Sequence, residues 1–175
     1  TPTIEGINLM KTRAELARCL GDEATARLWE SHAAEVTSRL KQQLWLPDLG
    51  RFAYYKDAEG YFRLDGQYHS LLYPALWGIT DPLGSYTTVR QVRDRLTGAS
   101  GAVYCSNNFG FHYQGTWGMQ AGAAQQPWAA WTLSATGRWN ETWRPLAATA
   151  AWVMDDNHRG SWPEIAEEAT PAYFT

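Results

Sequence analysis

The carboxylate of Glu164 stands in a local sequence that suits proton transfer. Trp162 and Pro163 precede it, and Gly160 lets the backbone bend close to a bound molecule. An adjacent aromatic ring can exclude water and tune the protonation of a carboxylate. We therefore take Glu164 as the first catalytic candidate. The alternative is an exposed loop carboxylate, or the N-cap of a short turn that contains Glu167 and Glu168.

Asp65 is the second candidate carboxylate, within the segment Leu64-Asp-Gly-Gln-Tyr-His69. The pattern places it where a β-hairpin meets a helix, and a role as helix N-cap would explain it without any chemistry. Gln67 and His69 follow closely, and both carry groups that form hydrogen bonds with hydroxyls. We expect these three residues to lie on the face of the protein that carries the long connections.

A long connection over residues 98–113, rich in Gly, Ser and Asn, leads into a third group of candidates. A loop of this length in a compact domain is usually functional. The group combines amides, an imidazole and flat rings, which bind sugar hydroxyls and stack on ring faces: Asn107, Asn108, His112, Tyr113, Gln114 and Trp117. The alternative reading is that Asn and Gly simply make turns here.

Aromatic residues are the outlier of the composition, with 10 Trp, 9 Tyr and 5 Phe. A buried Trp needs a hydrogen-bond partner for its N–H, so this many Trp suggest a surface that stacks on flat, partly apolar ligands such as sugars. The alternative is that some of them fill gaps between packed helices.

The charge and the missing motifs exclude several other functions. The net charge is −3 without a Lys/Arg run, so neither nucleic acid nor an anionic membrane is an expected partner. The sequence lacks the glycine-rich phosphate loops, and its four His are dispersed. We therefore expect no cofactor and no metal.

Apolar residues recur at helical spacing through most of the chain. The pattern predicts helices over 7–20, 23–44, 66–77, 82–96, 116–136 and 141–155, and a β-hairpin of 51–56 and 61–64 with its tip at 57–60. Helices joined by short turns pack antiparallel, and the long connections recur at one end only. This predicts a single all-α domain over 1–175, built from antiparallel helical hairpins that form about half of an (α/α)6 toroid, with a small β-hairpin.

Three stretches resemble the six-hairpin glycosidases. The first runs Leu16-Ala-Arg-Cys-Leu-Gly21, then Ala26-Arg-Leu-Trp29, then Leu44-Trp45-Leu-Pro-Asp-Leu-Gly50-Arg-Phe52. Tyr113-Gln-Gly-Thr-Trp117 resembles a YWRGPxW stretch of glycoside hydrolase family 63-like proteins, with Gln114 and Thr116 in place of Arg and Pro. His158-Arg-Gly-Ser-Trp-Pro-Glu164 resembles their late GxxxE segment.

The resemblance implies an inverting glycoside hydrolase that acts on an α-glucoside-like substrate. Glu164 would be the general base, and the aromatic residues, Trp162 among them, would stack on sugar. The segment with the general acid precedes the first helix of this chain in the family pattern. We therefore expect the chain to be the C-terminal part of a longer protein, with the N-terminal remainder as a second polypeptide. Asp65 is the alternative acid within the chain.

Two other functions fit the same pattern. A sugar epimerase or polysaccharide lyase on this toroid would depend on His112 and Tyr113 rather than on Glu164. A non-catalytic carbohydrate-binding helical module would bind sugar without releasing a product. Fold alone does not separate these functions, because function depends on the site.

Overall fold

A computed structural model of the protein describes residues 2–64, 68–103 and 126–154. Its contacts divide the chain into two compact units, Thr1–Phe52 and Ala53–Thr175. The described residues contain six helices and two small antiparallel sheets, which confirms a mainly helical protein with a minor β component. None of these helices is long and apolar enough to cross a membrane. The single domain stays a prediction.

The first unit is a helical hairpin of α1 (Pro2–Cys19) and α2 (Glu23–Leu44). The sequence predicted the bounds of α2 correctly, whereas α1 begins five residues before the predicted start. Proline is well accepted in the first turn of a helix because that turn does not use its own N–H groups. The carboxylate of Asp22 caps α2 by accepting a hydrogen bond from the N–H of Thr25 at 3.0 Å, which lowers the pKa of Asp22.

Alanines make up more than half of the buried residues on the two helices of this hairpin. The buried residues are Ile4, Ile7, Ala14, Ala17, Ala26, Ala33 and Leu40. Two short strands follow, β1 (Trp45–Leu46) and β2 (Arg51–Phe52), and they pair with each other. The rings of Trp45 and Phe52 meet edge to face, with their centroids 5.1 Å apart. The predicted pairing of 51–52 within the following hairpin was therefore wrong, because Trp45–Leu46 offers an aromatic partner closer in sequence.

The second unit opens with the remaining hairpin, β3 (Tyr55–Lys56) paired with β4 (Phe62–Arg63). Its tip was predicted correctly. The N–H of Asp57 donates to the carbonyl of Tyr61, and the carboxylate of Asp57 accepts from the N–H of Tyr61 at 2.8 Å and from Nε of Arg63 at 2.9 Å. Partial burial favours the neutral acid, but these donors outweigh it and lower the pKa of Asp57.

Four helices form the rest of the second unit: α3 (Tyr68–Leu76), α4 (Pro82–Leu96), α5 (Gln126–Ala135) and α6 (Trp139–Met154). Helix α4 has the predicted bounds, and Asp81 caps it, since the carboxylate of Asp81 accepts from the N–H of Gly84 at 2.7 Å. The predicted helical residues 116–125 lie outside the described part of the chain. One apolar cluster joins α3, α4, α5 and the segment after α4: Leu71, Leu72, Ala75, Val89, Val92, Leu96, Val103 and Ala129.

The turn after α4 lies tightly against α6. Gly101 has φ +90°, and a Cβ added there would lie 2.8 Å from the Cβ of Arg144 and 3.3 Å from its carbonyl oxygen. Gly78 has a similar positive φ of +61°, but a Cβ there would meet nothing within 4 Å. A side chain at Gly78 would therefore carry only the free-energy cost of an unfavourable φ, whereas a side chain at Gly101 would also carry the cost of a steric clash.

We predict that Gly101→Ala lowers the free energy of unfolding by about 2–4 kcal/mol, because it adds a steric clash to an unfavourable φ. Gly78→Ala should cost only about 1 kcal/mol, since it carries the conformational term alone. Urea denaturation followed by circular dichroism measures both values. Equal losses in the two variants would contradict the close contact between Gly101 and α6.

Candidate functional site

The predicted site residues lie almost entirely outside the described part of the chain. The backbone of His69 belongs to the first turn of α3, and its side chain is not described. The others lie in the three segments between and after the described ranges: Asp65, Gln67, Asn107, Asn108, His112, Tyr113, Gln114, Trp117, Trp162 and Glu164. Their roles stay predictions.

The two residues that flank segment 104–125 are joined by a pair of hydrogen bonds. Gln126 is fully buried; its Oε1 accepts from the N–H of Val103 at 2.8 Å, and its Nε2 donates to the carbonyl oxygen of Val103 at 3.0 Å. Val103 also forms an antiparallel bridge with Thr97 at the end of α4. The two ends of the segment with six of the predicted binding residues are therefore held together by these bonds.

A group of stacked rings lies beside this point. It consists of Tyr73, Trp77, Trp128 and Trp131, which we call the aromatic cluster. The ring of Tyr73 lies 4.5 Å from that of Trp77 and 5.5 Å from that of Trp128, and Trp77 and Trp128 meet edge to face at 6.3 Å. Trp128 and Trp131 stack at 5.5 Å with an angle of 23° between their planes. The cluster thus links α3 to α5.

The aromatic cluster runs from the interior to the surface. Tyr73 is only 5% exposed, whereas Trp131 is 54% exposed. The stack with Trp128 restricts the orientation of the exposed Trp131 indole, and a ring that is already ordered loses less conformational entropy in any further contact. Trp128 follows Gln126 by two residues, which places the cluster next to the base of segment 104–125.

Sequence reasoning did not select any member of the aromatic cluster. A signal was present in Trp128 and Trp131, which are three residues apart and so neighbours on one face of a helix. Gln126 was also missed. It is a polar residue at the head of the apolar run Gln126-Pro-Trp-Ala-Ala-Trp-Thr-Leu133, and a polar residue in such a position needs buried partners.

The carboxylates of α4 and α6 are engaged by arginines. Asp94 accepts from Nε of Arg93 at 2.6 Å, and this hydrogen bond lowers the pKa of Asp94 against the opposing effect of burial. Glu141 accepts from the guanidinium of Arg138, and Arg93 lies 4.0 Å away from it. Both acids are therefore engaged in ion pairs with arginines, which does not suit the role of general acid. Within the described ranges, no group of His, Cys, Asp or Glu could hold a metal ion.

No protein-family model matches the chain, and no curated protein is significantly similar to it. The resemblance to six-hairpin glycosidases therefore depends on the short motifs alone.

We predict that Gln126→Leu lowers the free energy of unfolding by about 2–5 kcal/mol, because it leaves the N–H and C=O of Val103 without their partner. Asn140→Leu is the control, since Asn140 is an exposed amide on α6 in the same unit and should change stability by less than about 0.5 kcal/mol. Denaturant midpoints measure both. A Gln126→Leu protein as stable as the control would mean that this hydrogen-bond pair contributes nothing.

Proposed function

We propose that the protein acts on carbohydrate as a glycoside hydrolase, or as one part of such an enzyme. The observation that carries this proposal is the aromatic cluster, in which the exposed Trp131 stacks on Trp128, two residues after Gln126 at the base of segment 104–125. The flat apolar face of a sugar ring stacks on an indole of this kind. The segment adds amides, an imidazole and further rings in its own sequence, which are groups that bind the hydroxyls at the edge of a sugar.

The helix order supports a toroid as the architecture. Three pairs of consecutive helices pack together through short turns: α1 with α2, α3 with α4, and α5 with α6. Helices α3 and α5, which belong to different pairs, also pack against each other. Helical hairpins wound around an axis have both kinds of contact. We propose that these pairs form about half of an (α/α)6 toroid.

The proposed reaction is hydrolysis with inversion. A protonated carboxyl group gives its proton to the leaving oxygen while a second carboxylate takes a proton from the attacking water. We assign the second role to Glu164. The first role belongs to Asp65 or to a carboxyl group on the N-terminal remainder of the protein. Asp94 and Glu141 are left out of this scheme, because each is engaged in an ion pair with an arginine.

A non-catalytic carbohydrate-binding module is the second candidate function. It needs the aromatic cluster and no acid–base pair, and this agrees with the arginine-paired state of the two acids in α4 and α6. The two functions differ in whether a product is released, which a reducing-end assay detects directly.

We predict that Trp131→Ala weakens the binding of an α-linked gluco-oligosaccharide such as maltotetraose by about 5- to 100-fold, because a stacked aromatic contact is worth about 1–3 kcal/mol. Isothermal titration calorimetry on the full chain measures the affinity. Trp143→Ala is the matched control, since Trp143 is an equally exposed indole on α6 and has no ring contact among the described residues. Equal losses of maltotetraose affinity in the two variants would show that the aromatic cluster is not the binding surface.

We predict that Glu164→Gln, made in the complete protein with its N-terminal remainder, lowers the rate of oligosaccharide hydrolysis by about 100-fold or more, because an amide cannot take a proton from water. Maltotetraose affinity should stay within about twofold of the unsubstituted value. Full activity in this variant, together with loss of activity in His112→Ala, would favour the epimerase or lyase chemistry. Binding without any product from the unsubstituted protein would favour the binding module.

A further inference from the structure

The second unit has a cavity of about 340 Å3 at its short turns, which we call the turn-end pocket. The pocket lies where the α3–α4 turn meets the α5–α6 turn, and Ala75, Val89 and Ala135 form part of its apolar wall. Ala135 ends α5, and Gln126 begins it, so the pocket is roughly 13 Å along the helix axis from the base of segment 104–125. Trp131 precedes Ala135 by one helical turn, but it is not among the residues that line the pocket.

Three hydroxyl groups on the pocket wall are held in place by hydrogen bonds and can each accept one more. Oγ1 of Thr80 and Oγ of Ser85 lie 2.7 Å apart, and Thr80 also donates to the carbonyl of Pro74 at 3.3 Å. Oγ1 of Thr136 donates to the carbonyl of Thr132 at 2.7 Å. A hydroxyl has one proton and two lone pairs, so each of these oxygens can still accept a hydrogen bond from a ligand.

Arg138 lines the turn-end pocket with a positively charged side chain, which is 16% exposed. It donates to Glu141, but its Nε is buried and makes no hydrogen bond to any described residue. Burial of a guanidinium with an unused donor is unfavourable, and a nearby anion would offset that cost.

The charge of Arg138 is only partly offset by its partner. Glu141 pairs with Arg138 and also lies 4.0 Å from Arg93, so this carboxylate is shared between two guanidinium groups. A carboxylate that enters the turn-end pocket would therefore find Arg138 with remaining capacity for an ion pair, in a partly apolar cavity where electrostatic attraction is stronger than in water.

We propose that the turn-end pocket binds a small hydroxylated carboxylate, with its carboxylate beside Arg138 and its hydroxyls toward Thr80, Ser85 and Thr136. The volume suits this size, because pockets for small molecules begin at about 300 Å3. Tyr86, half-exposed on α4 at the edge of the pocket, adds one more hydroxyl that can donate or accept. The proposal does not depend on the proposed glycoside hydrolase activity.

The test is calorimetric titration of the full chain with three probes, which differ in whether they carry hydroxyls, a carboxylate or both. Glucuronate has hydroxyls and a carboxylate, glucose has only hydroxyls, and acetate has only a carboxylate. We expect glucuronate to bind about tenfold or more tightly than either of the others, since both groups of contacts are then made. No measurable glucuronate binding, or equal affinity for glucose, would overturn the proposal.

Two variants locate the binding. Arg138→Gln should weaken glucuronate binding by about tenfold or more, because a charge-assisted contact is lost. Ala135→Phe adds a large ring at an exposed position of the pocket wall and leaves both residues of the Arg138–Glu141 pair in place, so it tests the site even if Arg138→Gln does not fold. Wild-type affinity in a folded Ala135→Phe protein would contradict the proposed location.

Two controls separate this site from the carbohydrate site. Arg39→Gln removes an arginine of a surface ion pair in the first unit and should leave glucuronate affinity unchanged. Trp131→Ala should weaken maltotetraose binding but not glucuronate binding. Loss of glucuronate binding in Trp131→Ala would assign the anion to the aromatic cluster and end the turn-end proposal, whereas a failure of maltotetraose to bind would count only against the proposed function.

Discussion

The second unit depends on one buried amide. Gln126 satisfies both the N–H and the C=O of Val103, and without it two main-chain groups would be buried with no partner. The bond pair joins the end of α4 to the start of α5, and Val103 and Ala129 then complete the apolar cluster between α3, α4 and α5. A polar contact thus fixes the geometry in which the apolar contacts of the unit can form.

The pair of Gln126 and Val103 also lies close in sequence to the aromatic cluster, which connects the core to the exposed indole used in the proposed function. Tyr73 is buried with α3 and contacts Trp77 and Trp128, and Trp128 in turn supports the exposed Trp131. A displacement of α5 relative to α3 would therefore disturb both the interior and the outward-facing indole. The orientation of the exposed ring thus depends on how α3 and α5 pack.

Local patterns predicted the elements whose signals lie within one stretch of chain. The spacing of apolar residues and the cap at Asp22 fix α2, and Asp81 with Pro82 fixes the start of α4. Pairing between Trp45–Leu46 and Arg51–Phe52 was not predicted, because short aromatic runs fit several partners equally well. The roles of Gln126 and Trp131 depend on contacts with residues distant in sequence, Val103 and Tyr73 among them, and no local pattern contains those contacts.

The alanines of the first unit limit how its sequence can diverge. Ala14 and Ala17 on α1, with Ala26 and Ala33 on α2, are buried where two helices pack against each other. Any larger side chain at these positions would force the backbones apart, whereas the exposed leucines of α1, Leu9, Leu16 and Leu20, are free of that steric limit. Among related proteins, small residues should therefore persist at the four alanine positions while the exposed leucine positions vary.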